Sequence, residues 1–280
     1  MTHHDLPTLV TCGTGKTGRR VAARLTALGR PVRLGSRSGE PPFDWDDPAT
    51  WPAAVQGIGS AYVTYVPDLA FPGAAETVAD FAAVAVGAGV RHLVLLSGRN
   101  EEGAVRGEQA VQASGAGWTI VRASFFAQNF SEGEFADSVR AGELAVPAGD
   151  VAEPFIDVDD IADVVAAALT DDRHLGQLYE VTGPRLLTFD DVARDLAAAT
   201  GRPVRYTPVS GEEFVAGLRA VGMPGEDAED LAALFTEVLD GRSTYLTDGV
   251  QRALGRPARD FAGYARAAAA TGVWDDGAAA

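Results

Sequence analysis

Short apolar runs alternate with stretches of helical periodicity along the first two-thirds of the chain. The apolar runs lie at residues 8–12, 31–38, 60–66, 91–96 and 118–122. Between them, apolar residues recur at helical spacing, as in the alanine-rich stretch 74–88. Alternation of this kind is typical of βαβ units that feed a parallel sheet. The pattern predicts an α/β protein built on a doubly wound parallel sheet.

A glycine-rich turn follows the first apolar run and leads directly into a helical pattern. Gly13, Gly15 and Gly18 have the spacing Gly-x-Gly-x-x-Gly, which between a strand and a helix is the fingerprint of a dinucleotide-binding, Rossmann-type fold. Such glycines allow a tight turn, close approach of the backbone to a pyrophosphate, and close packing of helix on sheet, respectively. The alternative is an ordinary strand–helix turn. We expect the cofactor phosphates to bind Gly13, Thr14, Gly15, Lys16, Thr17 and Gly18.

The residues at the end of the second apolar run indicate which cofactor binds. A site for NAD has an acidic residue there, which accepts hydrogen bonds from the ribose hydroxyls. This chain has Ser36 and Arg37 instead, and a guanidinium group suits a 2′-phosphate, with Arg33 as a second candidate contact. We therefore expect NADPH, with NADP preferred over NAD. The alternative for Arg37 is a solvated position on the loop. Asp44 and Trp45 are expected near the adenine, and the alternative for Trp45 is a packing role.

Polar and aromatic residues follow the fourth and fifth apolar runs. In an open α/β sheet the ligand crevice lies at the carboxyl ends of the strands. We expect Ser97 or Asn129 to act in catalysis by donating a hydrogen bond to the acceptor oxygen. Glu108, on the next helical stretch, is expected either near the nicotinamide or at the surface. The residues predicted to line the substrate pocket are Arg99, Asn100, Phe125 and Phe126, and the alternative for all of these positions is local hydrogen bonding or packing.

The pattern changes near residue 152, where regular alternation of strand and helix ends. We predict a dinucleotide-binding domain at residues 1–153, completed by a returning strand near residues 177–182. Residues 154–280 are predicted to form mainly a smaller, mostly helical C-terminal domain for the substrate cleft. Within it, Thr188 and Ser210 begin segments with the spacing of helix capping boxes.

Composition restricts the partners of the protein. A net charge of −16 argues against nucleic acid or an anionic membrane surface as partner. The chain has no apolar run long enough to span a membrane and no secretory signal pattern, so we expect a cytoplasmic monomer or homodimer that acts on a small molecule. Its single cysteine, Cys12, excludes an internal disulfide, and no metal is expected. Cys12 is either a reactive thiol beside a helix N-terminus or a small buried residue.

The chain has distinctive segments at residues 11–18, 92–97, 114–122, 125–129, 154–162 and 179–184, together with Arg37. These segments resemble the NmrA-like family, an atypical branch of the short-chain dehydrogenases/reductases. The resemblance implies an NADP-preferring Rossmann domain and a small C-terminal domain that closes the substrate cleft. Members of that family include quinone and azo-type reductases as well as non-enzymatic redox sensors. The chain departs from the family at Cys12, where relatives usually carry glycine.

The wider superfamily protonates its carbonyl substrates with a Tyr-x-x-x-Lys pair, and this chain has none. Its only lysine is Lys16, and no tyrosine lies between Tyr65 and Tyr179. A quinone needs no strong acid, because hydride transfer produces a stabilised phenolate. We therefore predict a quinone reductase-like, NADPH-dependent oxidoreductase of specialised metabolism, with a small, largely apolar quinone, enone or ketone-type acceptor. The alternatives are a non-enzymatic NADP(H) redox sensor and a cofactor-using isomerase or dehydratase.

Overall fold

The computed structural model describes residues 6–133 and 135–275. The strands are β1 (Thr8–Val10), β2 (Val32–Leu34), β3 (Ser60–Val63), β4 (His92–Gly98), β5 (Gly117–Ala123), β6 (Glu143–Val146), β7 (Ala152–Glu153), β8 (Gln177–Val181), β9 (Leu187–Thr188) and β10 (Arg205–Pro208). The helices are α1 (Lys16–Ala27), α2 (Trp51–Val55), α3 (Ala74–Gly87), α4 (Glu102–Ala113), α5 (Asn129–Glu132), α6 (Ala136–Ala141), α7 (Val158–Thr170), α8 (Phe189–Thr200), α9 (Gly211–Ala220), α10 (Gly225–Val238), α11 (Gly249–Leu254) and α12 (Phe261–Ala270).

The chain divides into two compact units, and each unit consists of three separate stretches. The first unit contains residues up to 123, residues 158–181 and residues 248–257. The second unit contains residues 124–157, residues 182–247 and the chain after residue 257. The predicted first domain is residues 1–153 completed by a returning strand near residues 177–182, whereas the first stretch of the observed unit ends at residue 123. Residues 124–153 group with the second unit, whereas α7 and β8 group with the first.

A six-stranded parallel sheet forms the centre of the first unit, with the strand order β2-β1-β3-β4-β5-β8. The predicted doubly wound, Rossmann-type fold is confirmed, and the strand expected near residues 177–182 pairs with β5. Both faces of the sheet are covered, so Leu9, Val10, Leu93 and Val94 are all fully buried. One face packs against an aromatic cluster of Phe43, Trp45, Trp51 and Phe81.

The second unit has an aromatic core and only short strand pairs. Strand β10 pairs in parallel with β6, and β7 pairs antiparallel with β9. The capping boxes predicted at Thr188 and Ser210 are present and begin α8 and α9. The large side chains of the core are Phe130, Phe135, Phe155, Phe189, Phe235, Phe261 and Trp274.

Strand β2 is shorter than the apolar run at residues 31–38. From Gly35 onward the backbone turns, because the Ser36 carbonyl oxygen accepts hydrogen bonds from the N–H groups of Gly39 and Phe43. The turn brings the segment after β2 to the carboxyl end of the sheet. Across the residues with described structure, no helix is both long enough and apolar enough to cross a membrane.

Candidate functional site

The glycine-rich loop connects the carboxyl end of β1 to the first turn of α1. Gly15 is the N-cap of this helix and has no side chain that could accept a hydrogen bond from its first N–H groups. The first turn contains no acidic residue. Helix N–H groups without a side-chain partner attract anions, and the helix dipole strengthens that attraction. The loop is therefore chemically suited to the phosphates of a dinucleotide.

Close packing requires glycine at position 18 of the loop and leaves little room for a side chain at position 13. A Cβ atom on Gly18 would lie 2.3 Å from the Cys12 carbonyl oxygen, and one on Gly13 would lie 3.0 Å from a methyl group of Leu34. The tight packing expected at Gly18 is thus present. Gly15 is exposed, so its backbone is open to an approaching ligand. Contact of Thr14, Lys16 and the rest of the loop with a cofactor stays a prediction.

The left-handed residue of the loop is Cys12, not Gly13 as expected for the tight turn. Cys12 has a φ of 48°, a backbone conformation that favours glycine. This conformation explains in physical terms why glycine suits the position in the family that the sequence resembles. The Cys12 thiol donates to the Thr64 carbonyl oxygen at 3.5 Å, and burial raises the pKa of the thiol. These features favour the packing alternative for Cys12 over a reactive thiolate.

Arg37 lies in the turn after β2 and is exposed. It forms no hydrogen bond or ion pair with residues 6–133 or 135–275. Arg33 instead donates to the carbonyl oxygens of Ala54 and Gln56 at 2.9 and 2.7 Å, which directs it away from the role of a second phosphate contact. A cavity of about 490 Å³ runs along β2 from Pro7 and Pro31 to Ser36 and Glu40, and its lining contains neither Arg37 nor a residue of the glycine-rich loop.

Asp44 and Trp45 occupy the loop that was expected near the adenine. Trp45 is buried, donates its indole N–H to the Thr64 carbonyl oxygen at 3.1 Å, and packs edge-on against Phe43 and Phe81. Packing therefore accounts for Trp45. Asp44 is half-buried and accepts a hydrogen bond from the N–H of Asp46 at 3.2 Å. Contact of either residue with a cofactor stays a prediction.

A buried polar cluster lies at the carboxyl ends of β4, β5 and β8. Ser97 donates its hydroxyl proton to Glu108 at 2.6 Å. Arg122 donates two further hydrogen bonds to the same carboxylate, at 2.8 and 2.5 Å. A serine hydroxyl has one proton, and Ser97 donates it to Glu108. Ser97 therefore has no proton to donate to an acceptor oxygen. Its predicted role as a donor would require the bond to Glu108 to break.

Arg99 belongs to the same cluster and does not line an open pocket. Its side chain is 2% exposed, and its Nε donates to Glu180 at 2.8 Å. Arg122 and Glu180 are one-fifth exposed, and their nearest charged atoms are 3.9 Å apart. Asn100 follows with a φ of 58° in the turn before α4. Arg99 is held in this buried ion pair, and its contact with a substrate stays a prediction.

The other predicted site residues belong to the second unit. Phe125 is half-buried and packs edge-on against Phe155 and Phe235 in the aromatic core. Phe126 pairs with Ile156 in an isolated parallel bridge. The carbonyl oxygen of Asn129 accepts a hydrogen bond from the N–H of Phe135. Their roles toward a substrate or acceptor stay predictions.

Sequence reasoning missed Arg122 and Glu180 and left Glu108 undecided. Arg122 and Glu180 are charged residues within strands of the sheet, and Glu108 lies on α4 and is 2% exposed. A charged residue inside a buried strand was the available signal, because such a charge needs a partner. No cluster of three potential metal-ligating side chains occurs in the described segments.

A family model describes most of this chain. The model of the NmrA-like family matches residues 43–258. This chain belongs to the NmrA-like family. Among the relatives of this NmrA-like protein is the NAD(P)H azoreductase of Xenophilus azovorans, which is 35% identical over 286 residues, 94% of this chain and 98% of the azoreductase.

Two further comparisons concern a second reductase and a solved structure. The (4-alkanoyl-5-oxo-2,5-dihydrofuran-3-yl)methyl phosphate reductase of Streptomyces griseus subsp. griseus is 32% identical over 279 residues, 90% of this NmrA-like chain and 94% of the reductase. The crystal structure of Citrobacter sp. triphenylmethane reductase complexed with NADP(H) has a TM-score of 0.77 and 21% identity, covering 94% of this chain and 99% of that one. At that identity, the likeness concerns the fold.

Proposed function

We propose that this NmrA-like protein is an NADPH-dependent oxidoreductase that transfers hydride to a small, largely apolar quinone, enone or ketone-type acceptor. The observation that carries the proposal is the uncapped phosphate loop followed by Arg37, an exposed cation with no anionic partner among the described residues. The oxidoreductase class is supported by the similarity to an azoreductase and to an oxo-dihydrofuran reductase over nearly the whole chain.

Arg37 supports a preference for NADP over NAD. A guanidinium group can donate two parallel hydrogen bonds to a phosphate and none of its donors is used elsewhere in the described chain. Ser36 adds a hydroxyl in the same turn, beside the cavity of about 490 Å³. The second strand of the sheet ends without the acidic residue that would accept from the ribose hydroxyls of NAD.

The polar cluster supports an acceptor that needs no acid from the protein. The cofactor, when bound, supplies the hydride, and reduction also requires a proton. Ser97 directs its proton to Glu108, and the chain lacks a Tyr-x-x-x-Lys pair. A quinone or an enone gives a stabilised anion, phenolate or enolate, that solvent can protonate. The name of the Streptomyces relative contains an oxo-dihydrofuran ring with an alkanoyl group, which is a ring of this electron-poor type.

Titration of the purified protein with NADPH and NADH tests the cofactor assignment. Arg37→Ala should raise the Kd for NADPH about tenfold or more, because a hydrogen bond to a charged group contributes about 1.5–3 kcal/mol. The Kd for NADH should change much less. Arg91→Ala removes an exposed arginine at the opposite, amino end of β4 and should leave both constants unchanged.

Turnover is tested by following NADPH absorbance with a panel of quinones, enones and azo compounds. Acceptor-dependent loss of NADPH supports the oxidoreductase. Comparable binding of NADPH and NADP⁺ with no turnover on any acceptor would instead support the redox sensor. Conversion of a compound without net loss of NADPH would support the isomerase or dehydratase. An unchanged NADPH affinity in Arg37→Ala would refute the assignment of the 2′-phosphate contact.

A further inference from the structure

The Tyr62 hydroxyl is a buried polar group of the first unit for which the described residues provide no hydrogen-bond partner. Tyr62 lies in the middle of the sheet and is fully buried. Its hydroxyl forms no hydrogen bond with any residue that the structure describes. A buried hydroxyl without a partner destabilises the folded state, and phenylalanine would fill the same space without this cost. The presence of tyrosine here therefore calls for a partner that binds from outside the chain.

The hydroxyl belongs to the surroundings of the phosphate loop. Tyr62 pairs in register with Val10, the last residue of β1, and its backbone accepts a hydrogen bond from the N–H of Thr11. The polar groups that face the hydroxyl are Thr17, Cys12 and Thr64. Thr17 lies in the first turn of α1, where phosphates are expected to bind. An unsatisfied donor thus lies directly behind the proposed cofactor site.

The Cys12 thiol and the backbone groups of Thr64 are already engaged. The Cys12 thiol donates to the Thr64 carbonyl oxygen, which also accepts from the hydroxyl of Thr11 and the indole of Trp45. The Thr64 N–H donates to the hydroxyl of Thr11. Thr17 is buried at the start of the helix, and its hydroxyl is the group that both Tyr62 and an incoming phosphate can reach. Burial raises the pKa of Tyr62, so the phenol stays protonated and is a donor at neutral pH.

We infer, on the basis of the proposed cofactor site, that Tyr62 and Thr17 form a two-hydroxyl relay. The relay is completed only when a dinucleotide phosphate binds. Thr17 donates its single proton to a phosphate oxygen, which fixes the orientation of its hydroxyl. Tyr62 then donates its proton to a lone pair of the Thr17 oxygen. Each hydrogen bond polarises and strengthens the other. No proton changes its covalent partner, and the relay contributes to cofactor affinity rather than to the chemical step.

The test compares Tyr62→Phe with Tyr179→Phe in the full-length protein. Tyr179 is a buried tyrosine of the same unit whose hydroxyl has a partner, His174 Nδ1 at 2.8 Å. Without cofactor, Tyr62→Phe should unfold at the same temperature as the wild type or higher, whereas Tyr179→Phe should unfold at a lower temperature. With NADPH, Tyr62→Phe should raise the Kd about fivefold, the effect of one lost neutral hydrogen bond, and Tyr179→Phe should not.

A double-mutant cycle on NADPH affinity identifies the route of the effect. If Tyr62 acts through Thr17, Tyr62→Phe should have no further effect on the Kd in a Thr17→Val background, while its effect should persist in Thr64→Val. Lower stability of cofactor-free Tyr62→Phe would mean that the hydroxyl already has a partner and would overturn the inference. An unchanged Kd would overturn it as well. If the wild type binds neither NADPH nor NADP⁺, the proposed function fails first; if it binds and Tyr62→Phe binds equally, only the relay fails.

Discussion

Glu108 is a buried carboxylate on α4 with both oxygens occupied. One oxygen accepts from Ser97 and Arg122, and the other accepts from Arg122 alone. The Glu108 side chain is 3% exposed and that of Arg122 is 22% exposed. A buried charge is tolerated only where a partner and hydrogen bonds compensate its lost hydration. The orientation of the Ser97 hydroxyl therefore depends on this ion pair.

Glu108→Gln removes the charge and keeps the shape of the side chain. It leaves Arg122 with Glu180, at 3.9 Å, as its nearest acidic neighbour. We expect the free energy of unfolding to fall by about 3 kcal/mol, as is typical when one partner of a buried pair is removed. Glu229→Gln, the control, breaks the exposed pair of Glu229 with Arg219 and should cost less than about 1 kcal/mol. Urea unfolding at neutral pH measures both, and equal losses would contradict the burial of the Glu108 charge.

Residue types at the strand ends could be predicted, but their partners could not. Ser97 and Arg99 were expected at the crevice because parallel strands end at the same edge of a sheet. Their partners Glu108 and Glu180 lie 11 and 81 positions away along the chain. No local periodicity relates positions at such separations. The sequence therefore could not show that the Ser97 hydroxyl already donates its proton to the Glu108 carboxylate.

Helix starts were predictable because capping is local. Thr188 accepts a hydrogen bond from the Asp191 N–H at 3.1 Å, and Asp191 accepts one from the Thr188 N–H at 2.9 Å. Strand ends were less predictable, because they depend on the neighbouring strand. Strand β4 extends to Gly98, beyond its apolar run, since Ser97 and Gly98 pair with Arg122 and Ala123 of β5.

Thr188→Ala removes the cap of α8 and should lower the free energy of unfolding by about 1 kcal/mol at neutral pH. The loss should depend on pH, because the hydrogen bonds from Thr188 hold the pKa of Asp191 below its ordinary value of 3.8. A carboxylate with a lowered pKa stabilises the fold above its ordinary pKa, and this contribution is lost as the pH falls through the folded value. The difference between variant and wild type should therefore shrink below about pH 4.

Denaturant unfolding at several pH values checks this expectation, with Asp190→Asn as the control. Asp190 lies in the same turn, is 67% exposed and forms an ion pair with Arg194 at 3.3 Å. Its substitution should cost no more than about 0.5 kcal/mol, the scale of an exposed helical ion pair. A penalty for Thr188→Ala that stays constant down to acid pH would show that the carboxylate of Asp191 plays no part in the cap.

At the scale of the whole molecule, the division into units could not be predicted from local patterns. The predicted boundary at residue 153 lies inside the stretch 124–157 of the second unit, and α7 and β8, which follow it, belong to the first unit. Arg24 of α1 pairs with Asp159 and Asp163 of α7, more than a hundred positions later. Strand β8 pairs with β5 over five residues. The first unit is therefore complete only when the chain has continued well beyond residue 153.

A fragment of residues 1–153 should accordingly fail to form a stable dinucleotide-binding domain. Because it lacks β8, β5 becomes an edge strand without a partner on that side. Because it also lacks α7, Arg24 loses its ion pairs with Asp159 and Asp163. It also keeps residues 124–153 without β9 and β10, the strands that pair with β7 and β6. We expect it to unfold without cooperativity, to bind a hydrophobic dye and to bind NADPH at least tenfold more weakly than the full chain. A fragment of residues 1–181 restores α7 and β8 and should regain part of that affinity. Cooperative unfolding and full NADPH affinity of the shorter fragment would instead mean that residues 1–153 are an autonomous domain.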